Sequence, residues 1–436
     1  MKKYSLQRCT TSTVCALAAA LLASGTAWAQ EQAAPQELGL DTVLVEVAEE
    51  NEVWEITEAR VEQARAARRE AWAALLPSIA LSASGTRYGE EIDFGGRQVR
   101  PQYDWAASGR ASIAIFDGTR YPLLERSGEL LEATQALSKW QRSTLLFEAR
   151  QSFYLLAAAQ NSVDIAQRTL ELRQAQLERA QALLDAKIAV KLDVERARTQ
   201  MLEAKQALLE ARALRGNADD ALGALLAREP GASVRARVDD AALPTPPEAA
   251  PLERIDERPD FKAVKNQIRA VELSEEAIWW SFLPLVELRA DARTGPESAF
   301  SNPDGFTWSM TLSATWLLYD GGARYAQLDA LEAQVKEETL QYQSDLRQAR
   351  VGVRQALRDW KTADAAVAVA RQQVEAASQA YETAQQRFEQ GLDTNIDVIQ
   401  ASETLFRAET TLNRRIFDAR VAAAEYRYLV GLLGVE

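Results

Sequence analysis

The side chains that most often carry out chemistry are scarce in this sequence, which leaves carboxylates as the main candidates. The chain has no histidine, and its two cysteines, Cys9 and Cys15, lie in a leader that we expect to be removed. Cysteine and histidine catalysis and Cys/His metal sites are therefore excluded. The neighbouring acids Asp239 and Asp240 could transfer protons, but they lie in a proline-rich polar segment where solvated side chains are expected. The sequence thus predicts no enzyme, no cofactor and no metal site.

A second group of carboxylates lies at a short break between two long helical patterns. Residues 391–397 have the sequence Gly-Leu-Asp-Thr-Asn-Ile-Asp, so Asp393 and Asp397 flank the start of the second pattern. A turn residue and an acid at a helix N-terminus are favourable there without any further role. If copies of the chain meet at an axis, the same carboxylates form rings that repel one another, raise their pKa values and attract cations. The residues alone are compatible with both interpretations.

The helical pattern before this break is a heptad repeat. Large apolar residues recur every seven positions from Leu346 to Phe388, and a second row, from Ala349 to Ala384, consists of alanine. Large and small rows together allow helices to approach closely, and a strict seven-residue period predicts a left-handed supercoil. We therefore predict an antiparallel helical hairpin with residues 391–397 at its tip.

The chain is predicted to contain two copies of one structural unit. The heptad positions from Trp360 onward have counterparts 204 residues earlier, beginning at Leu156, in the same phase. The tip at 391–397 then has a counterpart at 187–193, in which Asp193 corresponds to Asp397. The predicted organisation is a signal peptide at 1–29, a first repeat at 30–228, an irregular connector at 229–258 and a second repeat at 259–436.

Composition narrows the possible locations and partners. Residues 1–29 have a basic start, an apolar stretch and an A-x-A cleavage site, which is typical of a secretory signal peptide. The chain carries 50 basic and 63 acidic residues, a net charge of −13, which disfavours nucleic acid as a partner. No later stretch holds the ~20 apolar residues of a spanning helix, so a membrane span would have to consist of strands.

Four segments alternate in the manner of β-strands, two in each repeat: about 78–88, 103–116, 283–294 and 307–319. Aromatic residues cluster at both ends of these segments, as in the girdles of transmembrane barrels. In the third segment every second residue is charged, and we predict that these residues face a wet lumen: Glu287, Arg289, Asp291 and Arg293. A soluble sheet with one polar face uses the same alternation, and the heptads alone also permit a soluble periplasmic coiled-coil scaffold.

Closure of the strands requires more than one chain. Four strands cannot close a barrel, and a bilayer forbids open sheet edges because unpaired backbone groups find no water there. Three chains would supply 12 strands, which lies in the range of transmembrane barrels. The predicted fold class is an α+β membrane protein with a two-fold internal repeat, long coiled-coil helices and a 12-stranded transmembrane β-barrel shared by a trimer.

The sequence resembles the TolC-like outer-membrane efflux proteins over nearly its whole length after residue 29. The matching segments are residues 71–78 (AWAALLPS), 258–260 (RPD), 316–322 (WLLYDGG) and 391–401. The resemblance implies a homotrimeric channel that is surrounded by outer-membrane lipid and continued into the periplasm by an α-helical barrel, with the connector in an equatorial belt. It also implies docking to a periplasmic adaptor and an inner-membrane pump of the resistance-nodulation-division or ABC type. Such a protein is a passive exit duct of a tripartite efflux or type I secretion system.

The resemblance further implies a closed gate at the tips. Asp397 stands at the position of a family gate aspartate, and Asp193 is its counterpart in the first repeat. Gln400 stands where family members can carry a second aspartate, Asp393 where they can carry an arginine of the closing network, and Phe388 where they can carry a gate tyrosine. The implied gate therefore has a different acidic pattern and lacks the tyrosine hydroxyl.

An adaptor-docking motif at the second tip is also implied by the resemblance, and it consists of Gly391, Leu392 and Thr394. A glycine that stops a helix explains Gly391 equally well. The counterparts in the first repeat depart from the motif: they are Lys187, Ile188 and Val190. We therefore expect the two tips to differ in docking strength.

Overall fold

A computed structural model describes residues 36–94, 97–100, 102–229, 234–238, 243–249, 251–295 and 306–432. The predicted signal peptide lies outside the described residues. The helices are α1 (Leu40–Glu50), α2 (Glu52–Ala73), α3 (Arg120–Asp185), α4 (Lys191–Leu225), α5 (Pro259–Trp280), α6 (Ala323–Glu389) and α7 (Asn395–Val430). The strands are β1 (Gln36–Leu38), β2 (Ser78–Arg87), β3 (Ile92–Phe94), β4 (Arg97–Arg100), β5 (Tyr103–Phe116), β6 (Val234–Ala236), β7 (Leu285–Thr294) and β8 (Phe306–Thr315).

Two long helices form the frame of the chain. Helices α3 and α6 have 66 and 67 residues, which corresponds to about 100 Å each at ~1.5 Å per residue. Helix α3 packs against α2 and α5 along its first half and against α4 along its second half, and α7 also packs on it. Helix α6 packs against α5 and α7. Within the described part of the chain, no helix has the length and apolar content needed to cross a membrane.

The heptad rows form the seams of these helix pairs. In α6, the large residues Val353, Trp360 and Val367 are buried, as are Ala356 and Ala370 of the small row. Each large apolar side chain that becomes fully buried contributes about 1.5–3 kcal/mol. The sequence period therefore identifies the side of α6 that contacts α7.

A four-stranded antiparallel sheet connects the helices in the order β2-β5-β7-β8. Its register pairs Arg110 with Asp291 and Ile113 with Leu288, and paired side chains in a sheet lie on the same face. One face is consequently polar along all four strands and the other is apolar. Strands β2 and β8 are the edges, each with one neighbour among the described strands.

The structure differs from the sequence prediction in the connector and at several element ends. The connector at 229–258, predicted to be irregular, contains β6, which pairs in parallel with β1, and a 3-10 helix at Leu252–Glu257. The polar loop after β2 contains the β3–β4 hairpin. Strand β8 ends at Thr315 rather than near residue 319, and the indole N–H of Trp316 donates to the carbonyl of Phe282 instead, at 2.9 Å.

Candidate gating and docking site

The second tip begins where α6 ends in a left-handed glycine. Gly391 has φ of +76°, its N–H donates to the carbonyl of Phe388 at 3.0 Å, and the N–H of Leu392 donates to the carbonyl of Arg387 at 2.9 Å. This pair of hydrogen bonds is the usual glycine cap at a helix C-terminus. A β-carbon at Gly391 would meet no atom within 4 Å, so the positive φ alone favours glycine here.

The next helix is started by Thr394 and Asp397. The hydroxyl of Thr394 donates to a carboxylate oxygen of Asp397 at 2.6 Å, and the N–H of Thr394 donates to the same oxygen at 2.9 Å. The second bond satisfies the backbone N–H of the residue that precedes the helix, as the acidic residue of a capping box does. These hydrogen bonds hold the pKa of Asp397 below its ordinary value, and the bond from the Thr394 hydroxyl has a larger effect than the bond from the Thr394 N–H. Within one chain, the predicted gate aspartate is therefore a helix-capping residue.

Asp393 is paired inside the same tip. Its carboxylate accepts a hydrogen bond from the guanidinium of Arg387 at 2.8 Å, and this bond raises the pKa of Arg387. The arginine of this turn thus comes from the last turn of α6, six residues before Asp393. No periodicity in the sequence indicated Arg387.

The first tip repeats the backbone of the second with other side chains. Lys187 occupies the position of Gly391 and has φ of 64°, and the N–H groups of Lys187 and Ile188 donate to α3 carbonyls at 2.8 and 2.9 Å. The N–H of Val190 reaches the carboxylate of Asp193 at 3.3 Å, and valine has no hydroxyl to add a second bond. The first tip therefore has a strained cap and a weaker helix start.

Both tips expose apolar side chains. Ile188 and Val190 are 75% and 61% exposed at the first tip, and Leu392 is 65% exposed at the second. Exposed apolar residues grouped at the end of an element are typical of a surface that binds another protein. Gln400 is exposed on α7, one residue after the buried Ile399.

Two arginines that the prediction missed connect the hairpins. The guanidinium of Arg179 lies 4.9 Å from the ring centroid of Phe388 and 3.7 Å from the carboxylate of Glu389. Phe388, which stands where family members can carry a gate tyrosine, thus makes a cation–π contact with Arg179. No periodicity or motif in the sequence indicated Arg179.

Arg173 is the second connecting arginine and is only 5% exposed. Its Nη1 donates to Ser402 of α7 at 2.8 Å, to Gln200 of α4 at 3.2 Å and to Gln176 of its own helix at 3.0 Å. Burial lowers the pKa of Arg173. The one sequence signal was that Arg173 interrupts the alanine row of α3.

The charged residues of β7 share one face of the sheet. Asp291 accepts a hydrogen bond from Arg110 of β5 at 2.7 Å, and Arg289 lies 3.3 Å from Glu287. Arg293 pairs in register with Ser108 of β5 and belongs to the same polar face. That this face lines a lumen stays a prediction. Among the described residues, no three His, Cys, Asp or Glu side chains come close enough together to hold a metal ion.

Comparison with known proteins assigns the chain to a family. The family model described as "Outer membrane efflux protein" matches residues 44–228 and 252–431. The chain belongs to the outer membrane efflux protein family. The two matched segments are separated near the connector, which agrees with a two-fold repeat. The family consists of channels, so the predicted class, an outer-membrane efflux protein and not an enzyme, is confirmed.

Similar proteins include efflux components of pseudomonads. This outer membrane efflux protein is 23% identical over 346 residues to "Probable efflux pump outer membrane protein TtgC" of Pseudomonas putida, which covers 78% of this chain and 71% of TtgC. It is 24% identical over 367 residues to "Outer membrane protein OprJ" of Pseudomonas aeruginosa, covering 80% and 74%.

Solved structures share the fold. The structure of CusC superposes with a TM-score of 0.80 at 18% identity, covering 90% of this chain and 92% of CusC. The CmeC outer membrane channel of Campylobacter jejuni gives 0.81 at 18% identity, covering 90% and 85%. The predicted TolC-like combination of long helices and strands is therefore confirmed. The roles of the tip residues in this efflux protein stay predictions.

Proposed function

We propose that the protein is the passive outer-membrane exit duct of a tripartite efflux pump and works as a homotrimer. The observation that carries this proposal is the four-stranded sheet with one polar face and two open edges. In a bilayer, the unpaired backbone groups of β2 and β8 have no water partner, and each costs several kcal/mol. Pairing β8 of one copy with β2 of the next removes both edges, and three copies give 12 strands.

The polar face then lines the duct and the apolar face contacts lipid. The strand register places polar residues of all four strands on one side, and on that side β2 and β5 are joined by the Ser78–Ser112 and Ser82–Ser108 hydroxyl pairs at 2.9 and 2.7 Å. The opposite side carries Leu81, Leu288, Leu312 and similar residues. A wet lumen and an apolar exterior are the two environments that a transmembrane barrel provides.

The tips form the periplasmic end, where the duct closes and a periplasmic adaptor docks. The exposed Ile188, Val190 and Leu392 supply an apolar docking surface, and an inner-membrane pump of the resistance-nodulation-division or ABC type delivers the cargo. Asp397 and Asp193 narrow the closed end in rings of three. The names of relatives, "Antibiotic efflux pump outer membrane protein ArpC" and "Toluene efflux pump outer membrane protein TtgC", support small organic molecules as that cargo.

Paired cysteines test the closure of the barrel. The chain has no cysteine after Cys15, so Ser82→Cys on β2 and Thr311→Cys on β8 introduce unique thiols. In outer membranes treated with a flexible bis-maleimide, we expect covalent dimers and trimers from the double variant and monomers from each single variant. Monomers from the double variant, or recovery of the protein in the soluble periplasmic fraction, would contradict the proposal and favour a soluble scaffold.

Planar bilayers test the gate. We expect Asp397→Ala to weaken block of the pore by cations and to raise the conductance of the closed state, because a ring of three carboxylates is removed. Asp193→Ala is the matched variant at the first tip. Unchanged conductance and block in both variants would remove the gating role from these aspartates.

A further inference from the structure

The end of α2 nearest the sheet is basic in an otherwise acidic protein. Four arginines lie within ten positions of this helix, while the chain as a whole has a net charge of −13. They are Arg60, Arg65, Arg68 and Arg69. Helix α2 ends at Ala73 and β2 begins at Ser78, so this basic segment directly precedes the first long strand.

Three of these arginines line a groove between α2 and α3. The groove has a volume of about 550 Å³ and is lined by Glu62, Arg65, Arg68, Arg69, Trp72, Leu124 and Leu131. Its volume is within the range of ligand sites, about 300–1,000 Å³. Trp72, which is 53% exposed, stands roughly one helical turn, about 5 Å, closer to the sheet than Arg69. The groove is thus cationic along α2, with an indole at the end near the sheet and an apolar wall on α3.

Two of the guanidinium groups in the groove have no bonding partner among the described residues. Arg65 is paired with Glu62, whereas Arg68 and Arg69 have neither an ion pair nor a hydrogen bond within the described part of the chain. Arg68 lies across Gly128 of α3, where its Nε is 3.9 Å from the place a β-carbon would occupy. Adjacent arginines without partners are well suited to bind a phosphate, which accepts several N–H donors at once.

The position of the groove relative to the bilayer follows if the proposed function is correct and β2 spans the membrane. Exposed tryptophans mark the junction between helices and strands: Trp72, Trp279 and Trp316 are each more than half exposed. Tryptophan is enriched at the headgroup level of membranes because its ring is amphipathic. The groove therefore lies at the level of the headgroups on the periplasmic side.

We propose that this groove binds an anionic phospholipid of the periplasmic leaflet. Arg68 and Arg69 bind the headgroup phosphate, and Trp72, Leu124 and Leu131 contact the glycerol and the first methylenes of the chains. A basic site next to a membrane attracts anionic lipid electrostatically. The apolar wall and the indole distinguish a lipid from free phosphate, because inorganic phosphate has no apolar part to contact them.

Lipid binding to the assembled protein tests the proposal. Native mass spectrometry of the full chain in detergent measures binding of phosphatidylglycerol, phosphatidylcholine and inorganic phosphate. We expect phosphatidylglycerol to bind in preference to phosphatidylcholine. The double variant Arg68→Gln/Arg69→Gln should weaken phosphatidylglycerol by about 25-fold, since each arginine near an anionic headgroup accounts for about fivefold. The control is Arg60→Gln, because Arg60 donates to Gln141 and lies outside the groove, and it should bind as the unchanged protein does.

Three results would overturn the proposal. Equal binding of the two phospholipids to the unchanged protein excludes an anionic-lipid site, and this holds even if the double variant fails to fold. Displacement of the lipid by millimolar phosphate indicates a free-phosphate site. If the Arg68→Gln/Arg69→Gln variant, purified without lipid, no longer forms the trimers that the unchanged protein forms, a second copy covers the groove. Trimer formation and pore conductance, measured in the same preparations, report separately on the proposed function.

Discussion

The two tips share one backbone course but are held by different interactions. At both, a residue in the left-handed region ends the long helix with the same two N–H to carbonyl bonds, and an aspartate accepts the N–H three residues before it. The first tip places Lys187 where the second has Gly391, and Val190 where the second has Thr394. The second tip also holds the ion pair of Arg387 with Asp393.

The comparison of the two tips shows which features both repeats share and which side-chain interactions are particular to one repeat. The backbone course is common to both tips, so the helix period and the cap are sufficient to produce it. The side chains that stabilise the turn are present only at the second tip, while the first carries a lysine in a conformation that L-residues avoid. We therefore expect the first tip to open more readily than the second.

The buried heptad seams of the two repeats also differ, but here the first repeat has the additional polar interaction. Arg173 in the first repeat stands where the second repeat has Ala377, and both positions are buried. The arginine links α3 to α4 and α7, whereas the alanine only allows close packing. The first repeat thus has the weaker tip and the stronger polar link between hairpins.

The largest expected effect is that of Arg173→Ala, which makes the first seam resemble the second. It leaves the buried hydroxyl of Ser402 and the amide of Gln200 without their donor, at a cost of about 2 kcal/mol. The midpoint of urea unfolding in detergent, followed by helical circular dichroism, measures this loss. Arg168→Ala is the control, because Arg168 is exposed and donates within its own helix. A midpoint that does not fall would show that the buried arginine is dispensable.

The left-handed positions should respond with opposite signs. Lys187→Gly should stabilise the first tip and Gly391→Ala should destabilise the second, each by about 1 kcal/mol. Gly391 has open space around it, so the expected loss comes from the backbone and not from a clash. Hydrogen exchange of peptides that cover the last turns of α3 and α6 measures both changes. Changes of equal sign in the two variants would contradict this account.

The threonine at the second tip can be exchanged for the valine of the first. Thr394→Val removes the hydroxyl bond to Asp397, and the first-turn amides of α7 should exchange up to about fivefold faster. Val190→Thr supplies the missing hydroxyl at the first tip and should slow exchange at the start of α4. If neither variant alters exchange, the side-chain difference between the tips has no consequence for their stability.

Much of the fold could be predicted because its signals are local. The heptad rows, the alternation of the strands and the glycine break each depend on neighbouring residues. The helical segment before β2 is an exception, because it is interrupted at Asn51, between α1 and α2. There the side chain caps α2 by accepting from Val53 and donates to the carbonyl of Leu225. Such a contact joins residues far apart in sequence, which a periodic pattern does not show.

The candidate site was predictable only in part for the same reason. The positions of Asp397, Gly391 and their counterparts followed from the break and the repeat. The partners did not, because Arg173 and Ser402 are 229 positions apart, and the ion pair of Arg387 with Asp393 depends on the turn geometry. The interruption of the alanine row marked Arg173 as unusual, but nothing in the row indicated its partner.

The pH dependence of the second tip has the smallest expected effect, because Asp397 is exposed, and it separates capping from gating. The folded chain holds the pKa of Asp397 below its ordinary value. Its contribution to the start of α7 should therefore be complete above about pH 4 and lost as the pH falls through the lowered pKa. A ring of three carboxylates raises the pKa instead, so the loss would then begin at higher pH. Hydrogen exchange of the amides in the first turn of α7, measured for the unchanged protein and for Asp397→Asn at each pH from about 6 to 3, distinguishes the lowered pKa from the raised one. If protection of these amides is already lost above about pH 5, and high salt restores it, the carboxylate of Asp397 belongs to a ring of like charges. If protection is lost only at lower pH, the carboxylate acts as a helix cap.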